Sequence, residues 1–413
     1  MIMEMNKLKT PFYLFDESEC IERTQTIKKE IASWGGRLCY AIKANPFLIP
    51  TLLPIVDKFE VCSPGELEIC RGYHVPGEMI LFSGVVKTKE NIQTALKYPV
   101  DVITLESMQH WELLKDCMKQ LHERTGNIPF VKIMPRLSSG AQFGMEEEQL
   151  LRIVAESVSL ENIEVAGVHY FTGTQKKGNK YEKELEKIFE TMEVLRKEYR
   201  LEKAILEYGP GFAIPYFVGD EFEMPYGLVE QMKQYIIEKK YPFRIDIELG
   251  RYIAASCGKY FTSIVDIKKV DERNYCLVDG GIHHVNYYGS NMAMRTPIVQ
   301  HISRRKSDTD KEEIERIDKS GEYMVCGALC TFADILIRGI RLHDPNIGDT
   351  LVFKNIGAYS VTEGSYLFLS RDLPGIYLQK QDGSIHELRE PTASYGINSE
   401  SVQVKYEKTE NNL

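Results

Sequence analysis

Residues 38–107 decide the fold. LCYAIK (38–43), KFEVCS (58–63), MILFSG (79–84) and DVITLES (101–107) are short apolar runs, each followed by a polar, helix-compatible segment. The unit recurs as FVKIMP (130–135), EVAGVHYF (164–171), AILEYG (204–209) and RIDIEL (244–249), which makes eight runs. Between them stand segments with apolar residues at helical spacing. SMQHWELLKDCMKQLHERTG (107–126) is one. YEKELEKIFETMEVLRKEYR (181–200) is another, with Leu185, Ile188, Phe189, Met192 and Leu195 on one face. Eight strands with crossover helices predict an α/β fold, a (β/α)8 barrel over residues 30–256. A doubly wound sheet is the rival reading, but it more often uses fewer strands.

Beyond residue 256 the rhythm changes. KYFTSIVDIKK (259–269), NYCLVDGG (274–281), YMVCGAL (323–329), TLVFKNIG (350–357) and GIYLQK (375–380) follow one another without regular helices. They predict an all-β domain formed by residues 257–413 and 1–29, because FYLFD (12–16) supplies a strand ahead of the barrel. RRKSDTDKEEIERIDKSGE (304–322) reads as a solvated surface excursion, and the polar tail from Asn398 as a frayed end.

The 413 residues, with 43% hydrophobic and 27% charged, exclude a disordered, collagen-like or coiled-coil chain. The net charge of −9 argues against a nucleic-acid binder while leaving room for a local anion site. Nine cysteines without a CxxC pair argue against zinc and a disulfide framework, and favour reduced thiols in a cytoplasmic setting. The N-terminus lacks the apolar core of a signal peptide, and no run is long enough to span a membrane.

In such a barrel the chemistry sits at the C-terminal strand ends. The first strand ends in Lys43, an amine that partial desolvation would fit for a Schiff base. The sixth ends in His169-Tyr170-Phe171-Thr172-Gly173-Thr174, the seventh in Gly209-Pro210-Gly211 and the eighth in Glu248-Leu249-Gly250-Arg251. Glycine turns, a hydroxyl and an arginine at neighbouring strand ends suit a phosphate. Taken alone, Gly-Pro-Gly is an ordinary turn and Lys43 an ordinary surface lysine. Their combination is what points to a site. His283 and His284 make a poor metal pair, because adjacent histidines in a strand face opposite ways.

Strings across nearly the whole chain resemble the fold-type III pyridoxal-phosphate decarboxylases, which include diaminopimelate and ornithine decarboxylases. They are TPFYLFD (10–16), YAIKANP (40–46), FEVCSPGELE (59–68), GVHYFTGTQ (167–175), ELGRYIAA (248–255), VDGG (278–281), CGALCTFAD (326–334) and GAYS (357–360). The resemblance implies the barrel plus a C-terminal β-domain, pyridoxal 5'-phosphate as cofactor, and a homodimer with shared sites. By matched position it makes Lys43 the cofactor's lysine and Glu248 the partner of its pyridine nitrogen. Thr174, Gly209, Gly211, Arg251 and Tyr359 become phosphate contacts. Cys330 becomes the thiol that enters the partner's site as a proton donor; an ordinary thiol is largely protonated at neutral pH.

The departures from that family carry information. Phe171 stands where a histidine usually stacks on the ring. Gly209-Pro210-Gly211 lacks one backbone donor of a triple glycine. Thr331 follows Cys330 where the family has a carboxylate for the substrate's distal ammonium, a contact worth about 1.5–3 kcal/mol. HYFTGTQ, QFGM (142–145), VDGGIHH and LCT resemble instead the subgroup that decarboxylates carrier-linked or siderophore-pathway amino acids. The expected substrate is therefore conjugated or tethered and lacks a free distal ammonium. A diaminopimelate decarboxylase forming L-lysine, a racemase and a non-catalytic regulatory homologue are the alternatives.

Overall fold

The computed structural model describes residues 8–220, 226–287, 294–304 and 319–399. The charged run at 304–322 lies mostly outside these residues, and so does the chain from 400 onward.

The apolar runs become parallel strands because both their faces are covered, one inside the barrel and one beneath helices. After β1 (Phe12–Asp16) they are β2 (Leu38–Ala41), β3 (Lys58–Val61), β4 (Ile80–Phe82), β5 (Val102–Leu105), β6 (Val131–Leu137), β7 (Ile163–Val165), β8 (Gly167–Phe171), β9 (Ile205–Gly209) and β10 (Arg244–Leu249). The order β5-β4-β3-β2-β10-β9-β8-β6, with β5 also paired to β6, closes the sheet on itself. One predicted run is divided. Ala166 interrupts 164–171, so β7 only flanks β6, and β8 is the sixth strand of the closed barrel. Gly167 makes the break feasible, since a Cβ there would lie 1.8 Å from the carbonyl oxygen of Ile205.

The longer helices are α1 (Glu17–Ala32), α2 (Pro64–Gly72), α3 (Lys89–Lys97), α4 (Met108–Thr125), α5 (Glu147–Ser157), α6 (Lys180–Glu198) and α7 (Gly227–Lys239). Local chemistry sets their ends. The Ser63 hydroxyl caps α2 by accepting from the Glu66 amide, and Ser107 caps α4 through the His110 amide. Gly126, at φ +73°, stops α4 in the left-handed conformation. In α6 the predicted stripe is buried at Leu185, Ile188, Met192 and Leu195, while Phe189 leans on Tyr241 and Phe243.

Alternate residues of a strand share a face, so Lys58, Glu60 and Cys62 point the same way from β3 and its end. That way is inward. Lys58 crosses the lumen to Glu207 on β9 (2.7 Å) and Asp246 on β10 (2.8 Å), and all three side chains are buried. Cys39, Leu81, Val102, Met134 and Ile205 form a separate apolar cluster on inward-facing strand positions.

The second sheet contains β11 (Gly258–Val270), β12 (Arg273–Val278), β13 (Val299–Ile302), β14 (Gly321–Cys326), β15 (Ile335–Leu342), β16 (Thr350–Phe353), β17 (Gly375–Gln379) and β18 (Ile385–Arg389). As expected, β1 belongs here, antiparallel to β11 and parallel to β17. Phe12 stacks on Phe261 at 4.6 Å, while Tyr13 and Phe15 face the main core. One expectation fails. His283 and His284 lie in a turn after β12, not in a strand, and their buried rings sit side by side with centroids 3.7 Å apart.

Replacing Lys58 by Met leaves the buried Glu207 without a cation and Asp246 with Arg244 alone. Unfolding in urea is expected to show a loss of about 3–5 kcal/mol, whereas a loss below about 1 kcal/mol would mean the triad is solvated.

Candidate active site

β2 ends at Ala41, and the chain turns through a short 3-10 helix at Ile42–Ala44. This turn brings Lys43 to the barrel mouth. A cavity of about 230 Å3 opens there. Its lining includes Lys43, Phe171, Thr174, Gly211, Glu248, Arg251 and Tyr359. Seven of the residues singled out from sequence thus meet in one place, although they come from five strand ends or loops.

The Lys43 ammonium lies between two carboxylates, 2.7 Å from Glu60 Oε2 and 3.7 Å from Glu248 Oε1. Burial pulls its pKa down, but the carboxylates Glu60 and Glu248 more than reverse this and hold it well above the usual lysine value. Glu248 is itself buried, which raises a carboxyl; Lys43, His169 and Arg136 overcome this and bring it to about 2. His169 Nε2 lies 3.0 Å from Glu248 Oε2. The carboxylate is therefore both ionised and oriented.

Across the cavity the groups suit an anion. Arg251 donates through Nη1 to the Tyr216 hydroxyl (2.9 Å) and the Tyr287 carbonyl (2.9 Å), and its Nε lies 3.3 Å from Thr174 Oγ1. Its guanidinium stands 4.3 Å from the centre of the Tyr359 ring. Gly211 has φ +60°, and a Cβ there would lie 1.8 Å from the Gly173 carbonyl oxygen. Gly209 gives way to the ring of Phe171, which a Cβ would meet at 2.5 Å. The second domain closes this end: the Tyr359 amide donates to Ala44 O (2.7 Å), and Asn45 Nδ2 to Gly357 O (2.8 Å).

Cys330 and Thr331 are elsewhere in the chain. They lie exposed on the loop between β14 and β15, next to a fully exposed Phe332, and do not line the cavity. Asp334 shapes that loop, accepting from the amides of Ile282 (2.8 Å) and Leu329 (2.7 Å).

Sequence reading missed Glu60, Cys62, Tyr216 and Tyr287 as site residues. For the first two the signal was present: polar residues alternate on one face of an otherwise apolar strand. Tyr216 and Tyr287 carry no local signal, being joined only by the fold. A further buried pair, Arg136 and Glu106 at 2.8 Å, lies beside Phe171. Burial lowers Lys87 to about 8 despite Glu106, Cys62 and Glu60 nearby. Among the described residues, no group of three or more His, Cys, Asp and Glu side chains could hold a metal ion. No described helix is long and apolar enough to cross a membrane.

The family profile described as "Pyridoxal-dependent decarboxylase, pyridoxal binding domain" matches residues 17–255. The chain belongs to the pyridoxal-dependent decarboxylases. It is 26% identical over 432 aligned positions to L-glutamyl-[BtrI acyl-carrier protein] decarboxylase of Niallia circulans, covering 98% of this chain and 96% of that one. It is 27% identical over 387 positions to 2-[(L-alanin-3-ylcarbamoyl)methyl]-2-hydroxybutanedioate decarboxylase of Staphylococcus aureus, covering 89% and 93%. Its fold matches that of Helicobacter pylori diaminopimelate decarboxylase with a TM-score of 0.82 at 19% identity, covering 96% of this chain and 98% of the other. The decarboxylase is thus a barrel enzyme dependent on pyridoxal phosphate.

Glu248 yields a prediction about acid stability. An unfolded glutamate titrates at about 4.3. In the fold Glu248 titrates at about 2, so its ionised form adds stability above the unfolded value, and this is lost as pH falls towards 2. Glu248→Gln is expected to flatten the decline of the urea midpoint across that window. An unchanged slope would show that the carboxylate is not held by its neighbours.

Proposed function

We propose that this decarboxylase removes the α-carboxylate of an amino acid whose distal end is conjugated or carrier-tethered and bears no free ammonium. One observation carries the reading. The loop bearing Cys330 offers Thr331 in place of an acid, and its one carboxylate, Asp334, spends both oxygens on backbone amides. Glu363 at the cavity accepts from Asn286 Nδ2 at 2.9 Å. Two relatives are named, respectively, for a glutamyl group on an acyl-carrier protein and for an alanin-3-yl carbamoyl conjugate, which supports the same substrate class.

The residues present fit pyridoxal phosphate. The backbone cradle at Gly211 is one that a Cβ would fill, and Arg251 and Thr174 stand beside the same cavity. In this reading Lys43 would hold the cofactor covalently and Glu248 would pair with its pyridine nitrogen. Phe171 would face its ring, and Thr174, Gly209, Gly211, Arg251 and Tyr359 would hold its phosphate. Bound there, the cofactor supplies a sink for the electron pair left when carbon dioxide departs. The chain's own part is electrostatic and acid–base. Glu248, kept ionised, favours a proton on any nitrogen bonded to it. Lys43 exchanges its proton with groups already poised around it. Cys330 of a second copy, or Lys43, returns a proton to the α-carbon.

A homodimer is part of this reading. Phe332, Leu367, Phe368, Leu369, Tyr395 and Ile397 are exposed on three segments. Hydrogen bonds from Arg371 to Ala328 O, Ser394 to Arg371 O and Asn398 to Leu367 O tie these segments together. An apolar surface beside Cys330 suits a second copy of this chain.

Lys43→Ala is expected to abolish both decarboxylation and the cofactor's protein-bound absorbance band; an unchanged spectrum would refute the assigned lysine. Where Cys330 is the proton donor, Cys330→Ala is inactive alone, and mixing it with inactive Lys43→Ala chains is expected to restore up to about a quarter of wild-type activity, since half the dimers would hold one intact site. No recovery would refute sharing. Carbon dioxide release should be found with an aminoacyl conjugate. Rapid formation of lysine from meso-diaminopimelate would overturn the substrate class.

A further inference from the structure

Cys62 has no part in the chemistry above, yet its thiol touches the groups that control Lys43. It lies just past the end of β3, on the same inward face as Glu60. Its Sγ donates to Glu60 Oε1 at 2.8 Å and lies 3.5 Å from Lys43 Nζ, while Glu60 Oε2 takes the ammonium at 2.7 Å. The two oxygens of one buried carboxylate are thus divided between a thiol and an amine. Burial and the adjacent Glu60 both raise the Cys62 thiol, so it stays protonated and remains a donor. The backbone fixes its place, because the Cys62 amide donates to Glu66 Oε2 on α2 at 2.7 Å.

We propose that Cys62 is a positioning residue for Lys43: its thiol occupies Glu60 Oε1, turns Oε2 alone toward the ammonium, and so eases conversion of Lys43 to the free amine. The proposal rests on Lys43 being the residue that captures pyridoxal phosphate. An ammonium cannot attack an aldehyde carbon. Lys43 must first release one proton to solvent; its nitrogen pair then forms the carbon–nitrogen bond, and the aldehyde oxygen leaves as water. A carboxylate relieved of its thiol donor offers both oxygens and more charge to the ammonium, which makes that release harder. The other ionisable groups facing this cluster are Glu248 and His169 from β10 and β8, Glu66 from α2, Tyr359 from the second domain, and Lys87, Glu106 and Arg136 at the ends of β4, β5 and β6.

The test follows capture of added pyridoxal phosphate by cofactor-stripped full-length protein. It is read across pH as a borohydride-reducible adduct and mapped to the Lys43 peptide. Cys62→Ala and Cys62→Val, checked for folding by circular dichroism, are expected to move the midpoint of capture up by about half to one pH unit. Cys62→Ser, which keeps a donor, should return it toward the wild-type value. Midpoints for Cys62→Ala and Cys62→Val that coincide with wild type, or that fall, would overturn the proposal while Lys43→Ala captures nothing. Undiminished capture by Lys43→Ala would instead overturn the assignment of Lys43, and the proposal with it.

Discussion

The Lys43 ammonium is held between two buried carboxylates, and the barrel mouth is arranged around that balance. Without the cation, Glu60 and Glu248 would be two like charges facing each other across a low-dielectric pocket. With it, and with His169 and Arg136 nearby, the Glu248 carboxyl is brought down to about 2. The barrel uses the same device elsewhere, where Lys58 meets Glu207 and Asp246. What separates the two is access. The Lys58 side chain is 6% exposed, whereas that of Lys43 is 38% exposed. One cluster can serve only structure; the other presents an amine to whatever enters.

Access does not make Lys43 loose, because the second domain grips the turn that carries it. Tyr359 donates its amide to Ala44 O while sitting at φ +67°, a conformation costly for a tyrosine unless the surroundings enforce it. Asn45 reaches Gly357, and the Thr362 hydroxyl reaches Lys43 O at 3.3 Å. The chain passes between the two sheets at Asp16 and again at Cys257, and the Asp16 amide donates to Cys257 O at 2.8 Å where the passages meet. The N-terminal strand therefore pins the second sheet in place, and through the Gly357–Thr362 loop that sheet shapes the cavity.

Much of this was legible in the sequence because the barrel repeats a short, strongly patterned unit. Every barrel strand announced itself as an apolar run, and Lys43, Glu248 and Arg251 stood at ends where an apolar pattern stops abruptly. The rest failed for physical reasons. Ile335–Leu342 reads as ILIRGIRL, and Gly339 disrupts the alternation; the space it leaves is taken by Glu322, whose Oε1 a Cβ would meet at 2.3 Å. Val299–Ile302 and Ile385–Arg389 are four and five residues long with half-covered faces, too short to stand out from turns. Tyr216 and Tyr287 hold Arg251 through contacts made only once the loops after the barrel strands meet the second domain.

The Cys330 loop shows how packing bears on specificity. A Cβ at Gly327 would lie 2.3 Å from Asp334, and one at Gly281 would lie 2.7 Å from it. The carboxylate is thus enclosed by bare backbone and committed to amides on both sides. It cannot swing out to meet a substrate. The loop's shape is fixed from beneath, and what it projects, Cys330, Thr331 and Phe332, is decided by the residues at those three positions alone. Thr331 offers a hydroxyl on this exposed edge, and that hydroxyl already accepts from the Ala333 amide at 3.3 Å.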